Sequence, residues 1–313
     1  MRFRPASSDD LDNLLGCVVD ESVSWAHPER LRSFLESGHY RYDRIWVGED
    51  EDTGDLLARA VWWGFPDSRP LALDCVHVHP SVPDRVATAA ELLEHAHAAF
   101  GDRPAYHVFL PSGWREDAGV AAGLTWRKEA AARAGLTGEL ERLRYEWTDD
   151  VPVPEPSGRL VLRPEDDDEA FAEAFRRVAE GTLDHATRLA LRTTDPLEQA
   201  RQDVAGYKEM PGDRSWWRLA YSAADGSLAG VALPSANNAG PVVGYLGVVP
   251  EHRGHGYVDD LLAEITRFHA ERGERRVVAD TDLGNTPMAR AFERAGYRVF
   301  AVRLVLSAEQ GTP

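Results

Sequence analysis

Three features of the sequence predict a mixed α/β fold arranged as two tandem domains. Strand and helix patterns follow one another along the second half in the order typical of a sheet flanked by helices. Residues 151–158 (VPVPEPSG) carry three prolines in eight positions, which indicates a short stiff linker, although a proline-rich surface loop within one domain is the alternative. Short sequence motifs in the half of the chain before this segment also recur in the half after it. With 313 residues, the chain is long enough for two domains of ordinary size.

The internal repeat is collinear, and its members lie 159 to 170 residues apart. The matching pairs are Arg4-Pro5 with Arg163-Pro164, Val78-His79-Pro80 with Val248-Val249-Pro250, Arg133-Ala134-Gly135 with Arg294-Ala295-Gly296, and Arg142-Leu143 with Arg303-Leu304. Each match is short, but the shared order indicates a duplicated domain. We therefore expect one domain over residues 1–150, a linker over 151–158 and a second domain over 159–313.

The elements of the second half follow from periodicity and from turn residues. They are a strand at 159–163, helices at 166–180 and 195–210, hairpin strands at 215–221 and 227–234, a strand at 241–249, a helix at 257–272, a strand at 275–282, a helix at 285–295 and a strand at 297–306. Ala-Asp-Gly at 224–226 marks the hairpin turn, and one apolar face defines the helix at 257–272. This order predicts, in each domain, a mixed and mostly antiparallel sheet with helices on its faces.

Charge and composition narrow the class of protein. The 52 acidic and 35 basic residues give a net charge of −17, which disfavours nucleic acid as a partner and favours a cationic small molecule or peptide. The sequence contains neither a membrane-spanning apolar run nor a secretory signal. With only Cys17 and Cys75, a disulfide framework is not expected, and we predict a cytoplasmic protein.

A metal site is not predicted. His77 and His79 share one face of a strand, and His95 and His97 follow on a helix. This spacing suggests a metal, but no closely spaced acid or cysteine completes a ligand set.

The chemistry concentrates in residues 248–258 (VVPEHRGHGYV), where a strand ends and a helix begins after a short loop. Gly254 and Gly256 leave backbone N–H groups uncovered, and these groups and the positive end of the helix form an anion site. Arg253 adds a fixed positive charge, and either His252 or His255 can add a partial one. We predict a pyrophosphate as the ligand, while a plain tight turn remains the alternative. The loop matches neither the P-loop nor the Rossmann fingerprint.

These residues resemble the GNAT N-acetyltransferase superfamily. The run Val-x-Pro-x-x-Arg-Gly-x-Gly, the helix and strand after it, Asn285, and Ala295-Gly296-Tyr297 carry the resemblance, over roughly Leu160 to Ser307. It implies acetyl-CoA as co-substrate, with its pyrophosphate in the loop and its arm along the preceding strand. The implied cofactor-binding residues are Leu246, Gly247, Val248, Arg253, Gly254, His255, Gly256, Tyr257, Val258 and Asn285.

The resemblance also implies direct attack of a neutral amine on the acetyl thioester. Candidate bases are Asp280 and Asp282, which lie on the same side of a strand at its C-terminal end, where open α/β sheets bind ligands. Asp282 equally suits the start of a turn. Tyr245 is a candidate proton donor to the leaving thiol, and a buried sheet tyrosine is the alternative.

Glu180 and Asp184, between the first two helices of this domain, are candidate ligands for a cationic acceptor. A solvated helix end explains them equally well. A homodimer is a further partner compatible with the sequence.

Several residues depart from the superfamily pattern. Val258 stands where the loop motif usually ends in glycine or alanine, and Asp259 and Asp260 bring negative charge to the helix start. Phe292 occupies the position at which many members carry the tyrosine that protonates the thiolate. We therefore predict an acetyl-CoA-dependent N-acetyltransferase, with a catalytically silent acyl-CoA-binding or regulatory protein as the alternative.

The first half lacks the loop altogether. No glycine lies between Pro80 and Phe100, and Pro83 removes one N–H donor. Residues 1–150 are accordingly expected to be a degenerate copy that binds no acetyl-CoA.

Overall fold

A computed structural model describes residues 1–17, 23, 26–153, 155–237 and 239–308. The chain forms two compact units: the first contains Met1–Arg142 and the residues from Ala301 on, and the second contains Leu143–Phe300. The proline-rich segment, in which Pro154 lies outside the described residues, belongs to the second unit. That residues 1–150 and 159–313 are separate domains stays a prediction.

The first unit is a mixed sheet with helices on its faces. Its strand order is β1 (Arg2–Pro5), β2 (Ile45–Glu49), β3 (Leu56–Trp63), β4 (Ala72–Val78), β5 (Ala105–Pro111) and the later residues of β12 (Arg298–Ser307). The β4–β5 pair is parallel and the other pairs are antiparallel. Its helices are α1 (Leu11–Gly16), α2 (Pro28–Glu36), α3 (Arg85–Phe100) and α4 (Ala118–Arg133).

The second unit repeats this architecture. Its strand order is β6 (Gly138–Thr148, from Leu143 on), β11 (Arg276–Asp282), β10 (Gly240–Val248), β9 (Leu228–Asn237), β8 (Arg218–Ser222) and β7 (Leu160–Arg163). Its helices are α5 (Asp168–Ala179), α6 (His185–Ala190), α7 (Pro196–Lys208), α8 (Tyr257–Glu271) and α9 (Thr286–Arg294). The predicted fold class, two tandem α/β domains with mixed and mostly antiparallel sheets, is confirmed. Helix α6 was not predicted.

The repeated sequence segments lie on corresponding elements of the two units. The Val-x-Pro segments end β4 and β10, and the Arg-Ala-Gly segments end α4 and α9. In the latter, Gly135 and Gly296 adopt φ angles of 86° and 80°, which the helix ends require and which glycine allows without strain.

Two apolar layers cover the sheet of the second unit. On one face, α5 and α7 bury Phe171, Phe175 and Val204 against the sheet. On the other face, α8 and α9 bury residues that include Leu262 and Phe292. Leu261, Leu262 and Ile265 are fully buried, as the predicted apolar face of this helix requires.

Strand β10 contains a bulge at Gly244, where its register with β9 shifts between Val243 and Tyr245. A Cβ atom on Gly244 would lie 2.6 Å from Cβ of Ser235 and 2.8 Å from the carbonyl oxygen of Leu233, so only glycine fits. On its other side, β10 pairs with β11 at Val242 and Val278. Between the described residues of these strands, the ladder does not continue toward their C-terminal ends. From Tyr245 onward, this side of β10 therefore has no registered partner among the described residues of β11.

Candidate active site

The loop after β10 presents a row of backbone N–H groups. A 3₁₀ turn over Pro250–His252 leads to Gly254 and Gly256, whose φ angles of 80° and 75° require glycine. Gly256 is the N-cap of α8 and provides no side-chain cap. Within the part of the chain that the structure describes, the N–H groups of residues 254–258 donate no hydrogen bond. Together with the positive end of a 15-residue helix, these five donors form a site for an anion.

Arg253 holds this loop against the end of α5. Its guanidinium group donates to the carbonyl oxygens of Val248 (3.1 Å), Glu180 (2.7 Å) and Val178 (2.8 Å). Three carbonyls on two segments suit the planar fork of an arginine. The side chain thereby fixes the shape of the loop, and its charge faces backbone carbonyls.

Arg159 and Arg294 pair with the two acids at the start of α8. Arg159 donates to the carbonyls of His255 (2.8 Å) and Gly256 (3.2 Å) and to the carboxylate of Asp260 (2.6 Å). Arg294 donates to Asp259 at 2.7 Å. The negative charges at the helix start are therefore compensated. Sequence reasoning missed both arginines because each is far from its partner along the chain.

The strand before the loop alternates between the two layers. Leu246 packs on the side of α8 and α9, whereas Tyr245 packs under α5 and α7. At Gly247, a Cβ atom would lie 2.2 Å from Cγ1 of Val178, so glycine lets α5 approach the strand closely. The predicted cofactor segment Leu246–Val248 thus lies on the part of β10 that has no registered pair with the described residues of β11.

Asn285 lies at the start of α9, directly after β11. It is half-buried, and its side chain does not cap the helix. Its backbone N–H donates to the carbonyl of Asp282 at 2.9 Å, which fixes its position at the end of that strand.

The two candidate bases have different surroundings. Asp280 accepts from Arg144 at 3.3 Å and forms an ion pair with it. Asp282 is buried, and its Oδ2 accepts the N–H of His185 at 2.7 Å. Asp282 thereby ties the start of α6 to the end of β11.

The two candidate acceptor ligands also differ. Glu180 is exposed and its carboxylate pairs with Arg176 at 3.0 Å. Asp184 is the N-cap of α6, where its Oδ1 accepts from the N–H and the hydroxyl of Thr187, both at 2.8 Å. Through the link between Asp282 and His185, Asp184 lies beside the end of β11.

Three aromatic rings meet between α5, α7 and β10, and we call Phe175, Tyr207 and Tyr245 the aromatic cage. The Tyr245 ring lies 4.5 Å from that of Phe175 and 5.7 Å from that of Tyr207. Burial raises the pKa of the Tyr245 hydroxyl far above its usual value, with further increases from Tyr207, Asp203 and Asp184. Tyr245 therefore keeps its proton at neutral pH.

Asp203 was not predicted from the sequence. It is half-buried on α7, one turn before Tyr207, and its Oδ1 accepts from the Gln199 side chain at 2.8 Å. Burial raises its pKa, and the charge of Asp184 raises it further. The only signal in the sequence was a carboxylate four residues before a tyrosine on a helix.

Residues 159–298 match the family model described as an acetyltransferase (GNAT) domain. This segment is similar to GNAT acetyltransferases, and we call residues 159–298 the GNAT domain after the model that they match. No curated protein matches the chain.

Solved structures share the fold over nearly the whole chain. A GCN5-related N-acetyltransferase from Sphaerobacter thermophilus is 17% identical with a TM-score of 0.60, covering 97% of this chain and 94% of the other. A GNAT-family acetyltransferase from Colwellia psychrerythraea is 13% identical with a TM-score of 0.53, covering 99% and 100%. A tandem GNAT protein from the clavulanic acid biosynthesis pathway is 22% identical with a TM-score of 0.51, covering 100% and 99%. At these identities the likeness shows the fold alone.

Within the GNAT domain, Phe292 has no group that can donate a proton. It is buried and stacked on Tyr145, with 4.9 Å between ring centroids, and it also lies against Tyr297 at 5.3 Å. Its position is therefore a packing position.

The first unit fills the corresponding places with its own side chains. Its helix α3 is capped by Asp84, whose carboxylate accepts the N–H of Ala87 at 2.9 Å. On β4, the carbonyl of Val76 accepts from Arg127 at 3.0 Å, and this arginine is only 1% exposed. In the repeat, Val76 corresponds to Leu246 of the GNAT domain.

A metal site and a membrane-spanning helix are both absent from the described ranges. These ranges contain no group of three or more metal-ligating side chains placed to hold an ion. None of their helices is long and apolar enough to cross a membrane.

Proposed function

We propose that the GNAT domain binds acetyl-CoA and transfers its acetyl group to the amine of a cationic small molecule or peptide. The observation that carries this proposal is the row of N–H groups at residues 254–258, which have no partner among the described residues and lie between the C-terminal end of β10 and the start of α8. A diphosphate is the ligand that such donors and the α8 start favour.

The residues present fit the cofactor along its length. In this proposal, the N–H groups of residues 254–258 hold the pyrophosphate, and Arg253 keeps the loop in the shape that presents them. The unpaired side of β10 from Leu246 to Val248 offers backbone groups to the pantetheine arm, and the Asn285 amide serves the same arm. When bound, acetyl-CoA supplies an activated acyl thioester.

The residues on the acceptor side have distinct proposed roles. Tyr245 is the hydroxyl that protonates the leaving thiolate in this proposal, although its raised pKa makes it a weaker acid than an ordinary tyrosine. Asp184 gives the acceptor mouth negative charge, and Asp282 positions the start of α6 through the N–H of His185. Asp280, which is paired with Arg144, and Glu180, which is paired with Arg176, are assigned to the periphery of the site.

A second candidate function is a silent acyl-CoA-binding protein. The packing of Phe292 favours it because this residue cannot protonate a leaving thiolate. The two functions differ in one observable, the release of free thiol in the presence of an amine.

The experiment titrates the full chain with acetyl-CoA in a calorimeter and then follows thiol release with a panel of amines. We expect Arg253→Met to weaken acetyl-CoA binding at least tenfold, because loss of a charge-assisted hydrogen bond alone is worth about 1.5 kcal/mol or more. Arg177→Met is the matched control, since Arg177 contacts the same loop through the exposed Glu251 and its loss should change affinity less than twofold.

Equal affinity in wild type and Arg253→Met would place the pyrophosphate elsewhere. Binding without thiol release across the panel would favour the silent function.

A further inference from the structure

The aromatic cage lies on the acceptor side of the proposed reaction. Tyr245 belongs to β10 next to the segment assigned to the cofactor arm, and Tyr207 lies on α7 across from it. Both tyrosines are half-buried, whereas Phe175 is buried beneath them. Aromatic faces attract cations when a ring lies within about 6 Å of the charge.

Asp203 adds a carboxylate to this cage. It lies one helical turn before Tyr207, and its charge acts on the Tyr245 hydroxyl. Among the described residues, Asp203 has no arginine or lysine partner, whereas Asp168 and Glu169, on the neighbouring helix α5, form ion pairs. Its one side-chain hydrogen bond there, from Gln199, uses Oδ1.

We propose that the acceptor enters as an ammonium ion, which the aromatic cage and Asp203 bind, and that Asp203 takes the proton that the nitrogen must lose before it can attack. This inference rests on the proposed function and adds to it a recognition element and a base. In the step itself, the N–H bond breaks, the proton moves to a carboxylate oxygen of Asp203, and the electron pair stays on nitrogen. The proton later passes to solvent.

The surroundings of Asp203 suit a base. Burial makes the charged carboxylate less stable than it is in water, the hydrogen bond from Gln199 offsets part of this effect, and Asp184 at the start of α6 places further negative charge nearby. A carboxylate with a raised pKa accepts a proton more readily. Arg253, on the loop, is the cation that acts on Tyr245 from the cofactor side.

The first test measures binding to the full chain without acetyl-CoA. The probes are 2-phenylethylamine and 2-phenylethanol, which are similar in size and differ in charge at neutral pH. We expect the amine to bind at least tenfold more tightly than the alcohol. Asp203→Asn should abolish this preference, and Asp203→Glu should retain most of it. Glu198→Gln, an exposed change on the same helix, should leave it unaltered.

Equal binding of both probes, binding of neither, or an amine preference that survives in Asp203→Asn would overturn the inference. Thermal melting of each variant checks that the fold is retained.

A second readout separates this inference from the proposed function. If acetyl-CoA binds and acetyl transfer occurs, the acid limb of the kcat/KM profile against pH should disappear in Asp203→Asn, because the base that titrates there is gone. If transfer occurs with an unchanged profile, the inference fails and the proposed function stands. If no transfer occurs but the amine preference depends on Asp203, the proposed function fails and the cage remains an ammonium site.

Discussion

At the residue scale, Arg253 and Arg159 act mainly on backbone carbonyls in and around the loop after β10. Arg253 donates to three carbonyls, and Arg159 donates to two and to one carboxylate. These contacts set the direction in which the loop N–H groups point without competing for the anion itself. A lysine at either position would lack the planar fork that reaches several acceptors at once.

A buried histidine in the first unit gives a stability change with pH. His97 is buried with its ring edge-on to Trp62 at 6.1 Å, and burial followed by the charge of Arg103 lowers its pKa to about 4. In the unfolded chain its pKa is about 6.5. Above pH 6.5 neither state is protonated, whereas between pH 6.5 and 4 only the unfolded state binds the proton. The free energy of unfolding should therefore fall as the pH falls, by at most about 3 kcal/mol.

Urea unfolding followed by tryptophan fluorescence at several pH values between 7 and 4.5 measures this slope. His97→Gln should flatten it, whereas His95→Gln, at an exposed position on the same helix, should not. Identical slopes in wild type and His97→Gln would show that His97 does not titrate differently in the two states.

Residue-scale prediction from the sequence succeeded where the signal is local. Gly254 and Gly256 lie between a strand and a helix, and this spacing alone indicates uncovered N–H groups. It failed for Arg159, whose contacts lie about a hundred positions further along the chain, and for Asp203, whose role depends on a strand that approaches from elsewhere. Contacts of this kind are created by folding and leave no pattern in a single sequence.

At the element scale, the close packing of α5 on β10 determines the position of the loop. A Cβ atom on Gly247 would lie 2.2 Å from Cγ1 of Val178, and Arg253 donates to the carbonyl of that same valine. Gly247→Ala should therefore displace the end of α5. We expect a loss of about 1–3 kcal/mol in the free energy of unfolding and weaker acetyl-CoA binding.

The double variant Gly247→Ala with Val178→Ala removes the clash and should recover part of both quantities. Gly206→Ala is the control, since a Cβ atom there meets nothing within 4 Å. If the double variant recovers neither the free energy of unfolding nor the affinity for acetyl-CoA, the packing of α5 does not determine the position of the loop.

Element prediction worked where apolar periodicity is long. The helix predicted at 257–272 is α8, and the strand predicted at 275–282 is β11 (Arg276–Asp282). Helix α6 escaped prediction because it has only six residues, none of them buried, and so carries no apolar stripe. It is nevertheless the element that brings Asp184 to the end of β11, so the proposed acceptor site depends on an element without a hydrophobic signal.

At the scale of the whole molecule, the two units share one architecture and differ in what occupies equivalent places. The start of α8 carries uncovered N–H groups, whereas the start of α3 is capped by Asp84. On the side of β11, Leu246 has no registered pair among the described residues, whereas the corresponding Val76 carbonyl in the first unit accepts a hydrogen bond from Arg127. The collinear repeat predicted the shared architecture, and the missing glycines between Pro80 and Phe100 predicted the difference at the loop. The hydrogen bond from Arg127 to the Val76 carbonyl could not be predicted, because no pattern in the sequence indicates that α4 lies beside β4.

This difference predicts one acetyl-CoA per chain. A negative cap at α3 repels a pyrophosphate, and the buried guanidinium of Arg127 occupies the strand edge that a pantetheine arm would need. Calorimetric titration of the wild type should give a stoichiometry of one, and Arg253→Met should weaken this single binding event at least tenfold. A wild-type stoichiometry of two would mean that the first unit binds the cofactor as well. In that case Arg253→Met should retain half of the wild-type stoichiometry, because the substitution leaves the first unit unchanged.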